Sequence, residues 1–388
     1  MINESICIPR QVFEAEEIDG ENYGFNEREI PDRNYIADLS KKGYQLLKEN
    51  QVQEAIECFS KILAVEENNN YALVGMGDSS RKQGQFRNAI LFYQRCLNYH
   101  PENNYALFGL ADCHKALNHF PRAIEIWEKY LLHDTKNITV LTRVADAYRK
   151  TRDYSKSKEA YMRVLGMDVQ NPYAIIGLGH LHYDFKEYRE ALGYWKKMME
   201  RSRDNVDIRV LTSIGNCHRK LKSFDEGIGF FEKALERDKQ NFYALFGLAD
   251  CYRGLNLQNR SLEYWNNILD HDPKNKVILT RAGDAYRSLG NYEKAIEYYE
   301  RALDIEFDGY AVLGMAITAK NQERYDEAIE SLNRLIQQDT RNYRLFLELA
   351  DCHEKKGDRR GAIKILEDFQ RQGIRNIAVI EMLEKLKG

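Results

Sequence analysis

Tyr105–Cys113 reads YALFGLADC, and Tyr243–Cys251 repeats it letter for letter 138 residues later. Weaker copies stand at Tyr71–Asp78 (YALVGMGD), Tyr173–Gly179 (YAIIGLG) and Tyr310–Ala316 (YAVLGMA). Nine identical residues within one chain mean stacked copies of one structural unit. Length agrees. At 388 residues the chain exceeds the size at which single cores stop growing, about 250–300 residues. An array of repeats, each burying its face against the next, removes that limit.

The unit is a helical hairpin. Leu107, Leu110, Ala111 and His114 share one face of a helix, and Ala123, Trp127 and Tyr130 share one face of a second. Asn118 and the Phe120–Arg122 stretch break the period between them. Each unit is thus about 34 residues long. Small residues recur at its eighth place (Gly43, Gly77, Ala111, Ala145, Gly179, Gly215, Ala249, Gly283, Ala316, Ala350). They recur at its twentieth (Ala55, Ala89, Ala123, Ser157, Ala191, Gly227, Ser261, Ala295, Ala328, Ala362). Large apolar residues stand four places later (Phe59, Tyr93, Trp127, Tyr161, Trp195, Phe231, Trp265, Tyr299, Leu332, Leu366). Helices cross closely only where a small side chain meets a bulky one.

This frame resembles the tetratricopeptide repeat (TPR), whose signature is read in one unit as Leu279, Ala282, Gly283, Tyr286, Ala295, Tyr299 and Ala302. Its final proline survives at Pro101 and Pro273. The resemblance implies an all-α, right-handed superhelical α-solenoid. Ten TPR units are expected over 36–376, at about 36–69, 70–103, 104–137, 138–171, 172–207, 208–241, 242–275, 276–308, 309–342 and 343–376. One unit is two residues long and one a residue short, between hairpins where loops absorb the change. Residues 377–388 are expected to form a C-terminal capping helix. Units three and four match units seven and eight (LTRVADAYR at Leu141–Arg149, LTRAGDAYR at Leu279–Arg287), which reads as duplication of a four-unit block.

Composition narrows the setting. Residues 1–35 hold nine acids against three bases and are expected to be a flexible acidic N-terminal arm. An inert tail, a partner-binding segment and a segment lying in the chain's own groove all fit that composition. Net charge is −3, which gives no global pull toward nucleic acid. Seven scattered cysteines without CxxC spacing fit reduced thiols. No basic, then apolar leader opens the chain and no apolar run suffices for membrane insertion, so a cytoplasmic, soluble setting is expected.

Catalytic patterns are sparse, and the chain reads as no enzyme, with no cofactor and no metal. Cys113–His114, Cys217–His218 and Cys352–His353 take places held by Ala147–Tyr148 and Ala285–Tyr286 elsewhere, which are packing places. Neighbours on a helix diverge by about 100° and chelate poorly. No phosphate-loop, dinucleotide, zinc-protease or serine-hydrolase motif occurs.

A polar column is the candidate site. Asp78, Asp112, Asp146, Asp250, Asp284 and Asp351 hold the ninth place, with His180 and Asn216 as variants. Three residues on stand Arg81, Lys115, Arg149, Arg219, Arg253, Arg287 and Lys320. Tyr71, Tyr105, Tyr173, Tyr243 and Tyr310 precede the ninth place by seven residues, nearly two turns. Phe108, Phe246, Arg143 and Arg281 join that face. In the family it resembles, this face lines the concave groove. Two readings stay open. Asp and Arg three residues apart are an ordinary surface pair and also allow cross-linking of adjacent repeats. Alternatively, Tyr, Asp and Arg together suit an extended peptide, with Gly75, Gly109, Gly177, Gly247 and Gly314 leaving room for it. A carboxylate clamp is disfavoured, because the column is mostly Asp where the clamp wants Asn; only Asn216 with Arg219 and Lys220 comes close.

The function expected is a scaffold binding peptide segments of partner proteins in that groove. The alternatives are an assembly or oligomerisation factor working through its convex face or ends, and, disfavoured by groove acids, an RNA-binding repeat.

Overall fold

The computed structural model describes residues 33–202 and 206–388. The acidic arm expected over 1–35 lies outside the described residues except for its last three, which open the first helix. Among the described residues all regular structure is helical, in 21 α-helices. They fall into two compact bodies, divided after His133.

The first body holds three hairpins: α1 (Arg33–Lys48) with α2 (Val52–Val65), α3 (Asn70–Lys82) with α4 (Phe86–Tyr99), and α5 (Asn104–Ala116) with α6 (Phe120–His133). The second holds seven. These are α7 (Ile138–Lys150) with α8 (Tyr154–Met167), α9 (Pro172–Asp184) with α10 (Tyr188–Ser202), α11 (Ile208–Lys220) with α12 (Phe224–Arg237), and α13 (Phe242–Gly254) with α14 (Gln258–His271). Then come α15 (Lys276–Ser288) with α16 (Tyr292–Leu303), α17 (Gly309–Asn321) with α18 (Tyr325–Gln338), and α19 (Tyr343–Lys355) with α20 (Arg359–Arg371). A last helix, α21 (Ile377–Lys387), buries Val379, Leu383 and Leu386 in a cluster with Phe346, Leu366 and Phe369.

Local chemistry explains where helices start and turn. From α3 onward every first helix of a hairpin is preceded by Asn or Asp, whose side chain accepts an N–H of the first turn; Asn103 takes Ala106 N–H at 2.9 Å and Asn241 takes Ala244 N–H at 3.1 Å. That satisfies one of the orphan donors each helix start leaves. Each hairpin turns through one left-handed residue: Gly84, Gly290 and Gly357 in three, Asn50, Asn118 and Asn256 in three more. Arg152, Lys186, Lys222 and Glu323 do the same without the freedom of glycine or the tolerance of asparagine.

Packing follows the small-to-large pattern, with one addition. Four rings at the twenty-fourth place, Phe59, Tyr93, Phe231 and Tyr299, each lie against glycines of two first helices. Phe231 lies against Gly215 of its own hairpin and Gly247 of the next; a Cβ on either glycine would sit 2.8 Å or 2.2 Å from the ring. Tyr93 is held the same way by Gly77 and Gly109. The ring is therefore the wedge that joins successive hairpins, and glycine at the sixth place admits it. This overturns the expectation that these glycines leave space for a ligand. The space exists and the preceding hairpin fills it, because ring burial is favoured wherever a Cβ is missing.

Candidate functional site

The polar column divides into two kinds of residue. Its charged members are held by one another. In the first body Arg81 reaches back to Asp78 at 3.0 Å and forward to Asp112 at 3.7 Å, and the Tyr93 hydroxyl donates to Asp78 at 2.7 Å. In the second body Arg149 joins Asp146 at 2.7 Å to Asp184 of the next hairpin. Arg219 donates to Asn216 at 3.1 Å and to Asp250 at 2.5 Å. Asp250 also takes Arg253 at 2.7 Å and Arg281 at 3.4 Å. Asp284 accepts from Arg287 at 3.1 Å and from the Tyr299 hydroxyl at 2.7 Å. Lys320 bridges to Glu348 at 2.5 Å and Asp351 at 2.6 Å.

Two bases set the pattern. Arg81 and Arg149 each hold the acid one turn back and an acid of the next hairpin, while Arg219 and Lys320 make the forward contact alone to a carboxylate. Arg149 breaks register at its forward end: His180 holds the expected place, so Asp184, one turn further, supplies the carboxylate. Asp184 and Glu348 thus belong to the column without matching its spacing. An acid four residues after or three before the ninth place was the only sequence signal for them.

Burial sets the electrostatics. The Asp250 side chain is only 9% exposed. Burial pushes its carboxyl upward, but hydrogen bonds and charge from Arg253 and Arg219 outweigh that and hold it below its ordinary value. Asp351 is depressed likewise, burial being outweighed by Lys320 and Lys355. Burial, then the Asp78 charge, raises the Tyr93 hydroxyl well above its ordinary range, so it stays a neutral donor.

The aromatic members differ. Tyr71, Tyr105, Tyr173, Tyr243 and Tyr310 are 61%, 79%, 72%, 68% and 77% exposed. Phe108 and Phe246 are half-buried on the same helices. Phe108 meets the Tyr130 ring edge-on at 6.5 Å, and Phe246 meets Trp265 at 5.2 Å beneath the guanidinium groups of Arg219 and Arg281. Lys115 and Arg143 are half-buried, and His180 is exposed with its ring against Trp195. In the first body an open cavity of about 690 Å³ lies between α1, α3 and α5, lined among others by Tyr44, Tyr71, Tyr105, Asn70 and Asp78. The Tyr44 hydroxyl donates to the Tyr71 carbonyl at 2.9 Å across it.

The Cys–His pairs lie in packing. Burial pushes the Cys113 and Cys352 thiols up to about 11 and Cys217 to about 12. Thiols held that high are poor nucleophiles at neutral pH. His218 stacks on Phe230 at 5.7 Å, and His353 bonds to Asp358, the cap of α20, at 2.9 Å. No helix among the described residues is long and apolar enough to cross a membrane.

Capped hairpins, wedge rings and a cross-linked polar column define a helical-repeat protein. Family models described as Tetratricopeptide repeat match residues 80–146, 138–171, 208–241, 243–305 and 321–373. The chain belongs to the tetratricopeptide-repeat family. No curated protein matches it. Among solved structures it is similar to the MamA protein at 23% identity, covering 44% of this chain and 92% of that one, with a TM-score of 0.40. It is similar to YrrB, described as a TPR protein with an unusual peptide-binding site, at 19% identity over 48% and 95%, TM-score 0.41. Yeast Tom70 matches at 15% identity over 91% and 96%, TM-score 0.41.

Proposed function

We propose that this TPR protein is an interaction scaffold, and that an extended segment of a partner protein binds along the first helices with the exposed tyrosines as its main contacts. One observation carries this reading. Five tyrosines at one place of the hairpin stand in solvent, while the charged residues two turns away are used up in the fold. A tyrosine at such a place gives a large, rigid contact area for little ordering cost, with a hydroxyl to bond a peptide backbone. Nothing in the hairpin needs the ring, since Thr139, Arg209, Val277 and Arg344 hold the same place in other units. The column acids and bases then act indirectly, by fixing one first helix against the next.

Affinity capture tests the reading. The triple variant Tyr173→Ala/Tyr243→Ala/Tyr310→Ala should keep wild-type helicity and melting and lose the partners that wild type captures. Unchanged capture by the triple variant would remove the tyrosines from the site.

A further inference from the structure

Resting on that reading, we infer that the segment bound along α7 to α13 is acidic, with large apolar side chains spaced to meet Tyr173 and Tyr243. The inference comes from what the ion-pair column leaves over. Helices α7, α9, α11 and α13 together carry seven Lys and Arg against three carboxylates, Asp146, Asp184 and Asp250; of the seven, Arg209 is taken by Asp207 just before α11, at 2.5 Å. Every one of those carboxylates is already engaged. Arg149 holds Asp146 and Asp184, and the single Asp250 is shared by Arg219, Arg253 and Arg281. Three guanidinium groups around one carboxylate leave a local surplus of positive charge, and the Arg253 side chain is 45% exposed.

Lys150 and Lys220 add to it. Both are exposed, and among the described residues neither holds a carboxylate. Each lies four residues beyond the ninth place, hence on the same stripe as the acid column. Exposed His180 occupies that stripe on α9, between them. The face that looked acidic in sequence is therefore, to an incoming ligand, a cationic surface carrying tyrosines. A peptide carboxylate would find donors there; a lysine would find carboxylates already taken and like charge nearby.

Spacing adds a second constraint. Neighbouring helices pack 8–10 Å apart, so rungs two hairpins apart, such as Tyr173 and Tyr243, are about 20 Å apart. Extended chain rises about 3.3 Å per residue, so that gap spans about six residues. The inferred ligand is a linear protein segment with apolar side chains about six residues apart and Asp or Glu between them. Single-stranded RNA offers one charge per nucleotide at shorter spacing, which two free lysines serve poorly.

The experiment pans a random 12-residue peptide library against the full chain, against Lys150→Glu/Lys220→Glu and against Tyr173→Ala/Tyr243→Ala, with circular dichroism melts to confirm that all three fold. Wild-type binders should be enriched in Asp and Glu. The affinity of an enriched peptide should fall about tenfold in the lysine variant and weaken as salt is raised. Binders without acidic enrichment that still depend on the tyrosines would overturn the acidic ligand while leaving the tyrosine site in place. Binders indifferent to Tyr173 and Tyr243 would overturn both. Tighter binding of a 12-mer oligouridylate than of any peptide, lost in the lysine variant, would overturn a protein ligand in favour of RNA.

Discussion

YALFGLADC at Tyr105–Cys113 and the same nine residues at Tyr243–Cys251 enter different surroundings. Both present an exposed tyrosine, a buried glycine against the previous hairpin's ring, and an aspartate at the ninth place. In the first copy Arg81 approaches Asp112 to 3.7 Å. In the second, Asp250 takes three guanidinium groups, at 2.5, 2.7 and 3.4 Å. Arg219 and Arg281 also cover Phe246, and Phe108 meets the Tyr130 ring edge-on at 6.5 Å. Identical letters thus leave the surroundings open. At Asp250 the neighbours are Arg253 of its own helix, Arg219 of the hairpin before and Arg281 of the hairpin after.

The sharpest way to test the second copy is to remove its aspartate. Asp250→Ala leaves Arg219, Arg253 and Arg281 without their shared acceptor and should cost about 3 kcal/mol. A loss below about 1 kcal/mol in urea unfolding would mean that the arginine cluster adds nothing. The Asp250 carboxyl also predicts an acid limb. Its folded value lies below the unfolded one, so its contribution is complete above the ordinary carboxylate range and fades as pH falls below about 4. Asp250→Asn should flatten that limb in pH-dependent melts.

Glycine is next. Gly247→Ala would place a Cβ 2.2 Å from the Phe231 ring, and Gly109→Ala one 2.3 Å from Tyr93. Each should destabilise its body by about 1–3 kcal/mol. Gly193→Ala in α10, where a Cβ meets nothing within 4 Å, should instead stabilise by about 0.5–1 kcal/mol. A stabilising Gly247→Ala would disprove the wedge.

His218 gives a smaller, pH-dependent effect. Burial, then Lys196, lowers its pKa, with Glu226 opposing. Above about pH 6.5 neither state is charged; below it the unfolded chain binds the proton first, so stability falls as pH drops. His218→Tyr, matching Tyr252 and Tyr286 at the same place, should lessen the loss of stability between pH 7 and 5. An unchanged slope would show that His218 is as easily protonated folded as unfolded. Smallest of all, the tyrosine substitutions should move stability by less than about 0.5 kcal/mol each.

Most of the fold was legible in sequence. Glycine or alanine at the eighth place, the small residue at the twentieth and the large residue at the twenty-fourth report contacts between residues near in sequence. The site was legible only in part. Spacing put Tyr, Asp and Arg on one face but was silent on whether Asp250 looks to solvent or to Arg219, 31 residues away. The sixth-place glycines were misread for the same reason, since the filling ring belongs to the preceding hairpin. Asp184 escaped because it sits one turn beyond the register. Lys150 drew no attention and Lys220 entered only in the comparison with a carboxylate clamp, because a lysine gains meaning on this face only once the neighbouring carboxylates are known to be occupied.

The account rests on a division of labour: the paired acids and arginines of the column hold the hairpins together, and the tyrosines are the main contacts of the partner. Its most direct test is to measure melting and partner capture on the same samples of Asp250→Asn and Tyr173→Ala/Tyr243→Ala/Tyr310→Ala. The account predicts a lower melting temperature with partners retained for the first, and wild-type melting with partners lost for the second. Wild-type melting and lost partners for Asp250→Asn, with capture intact in the tyrosine variant, would contradict it.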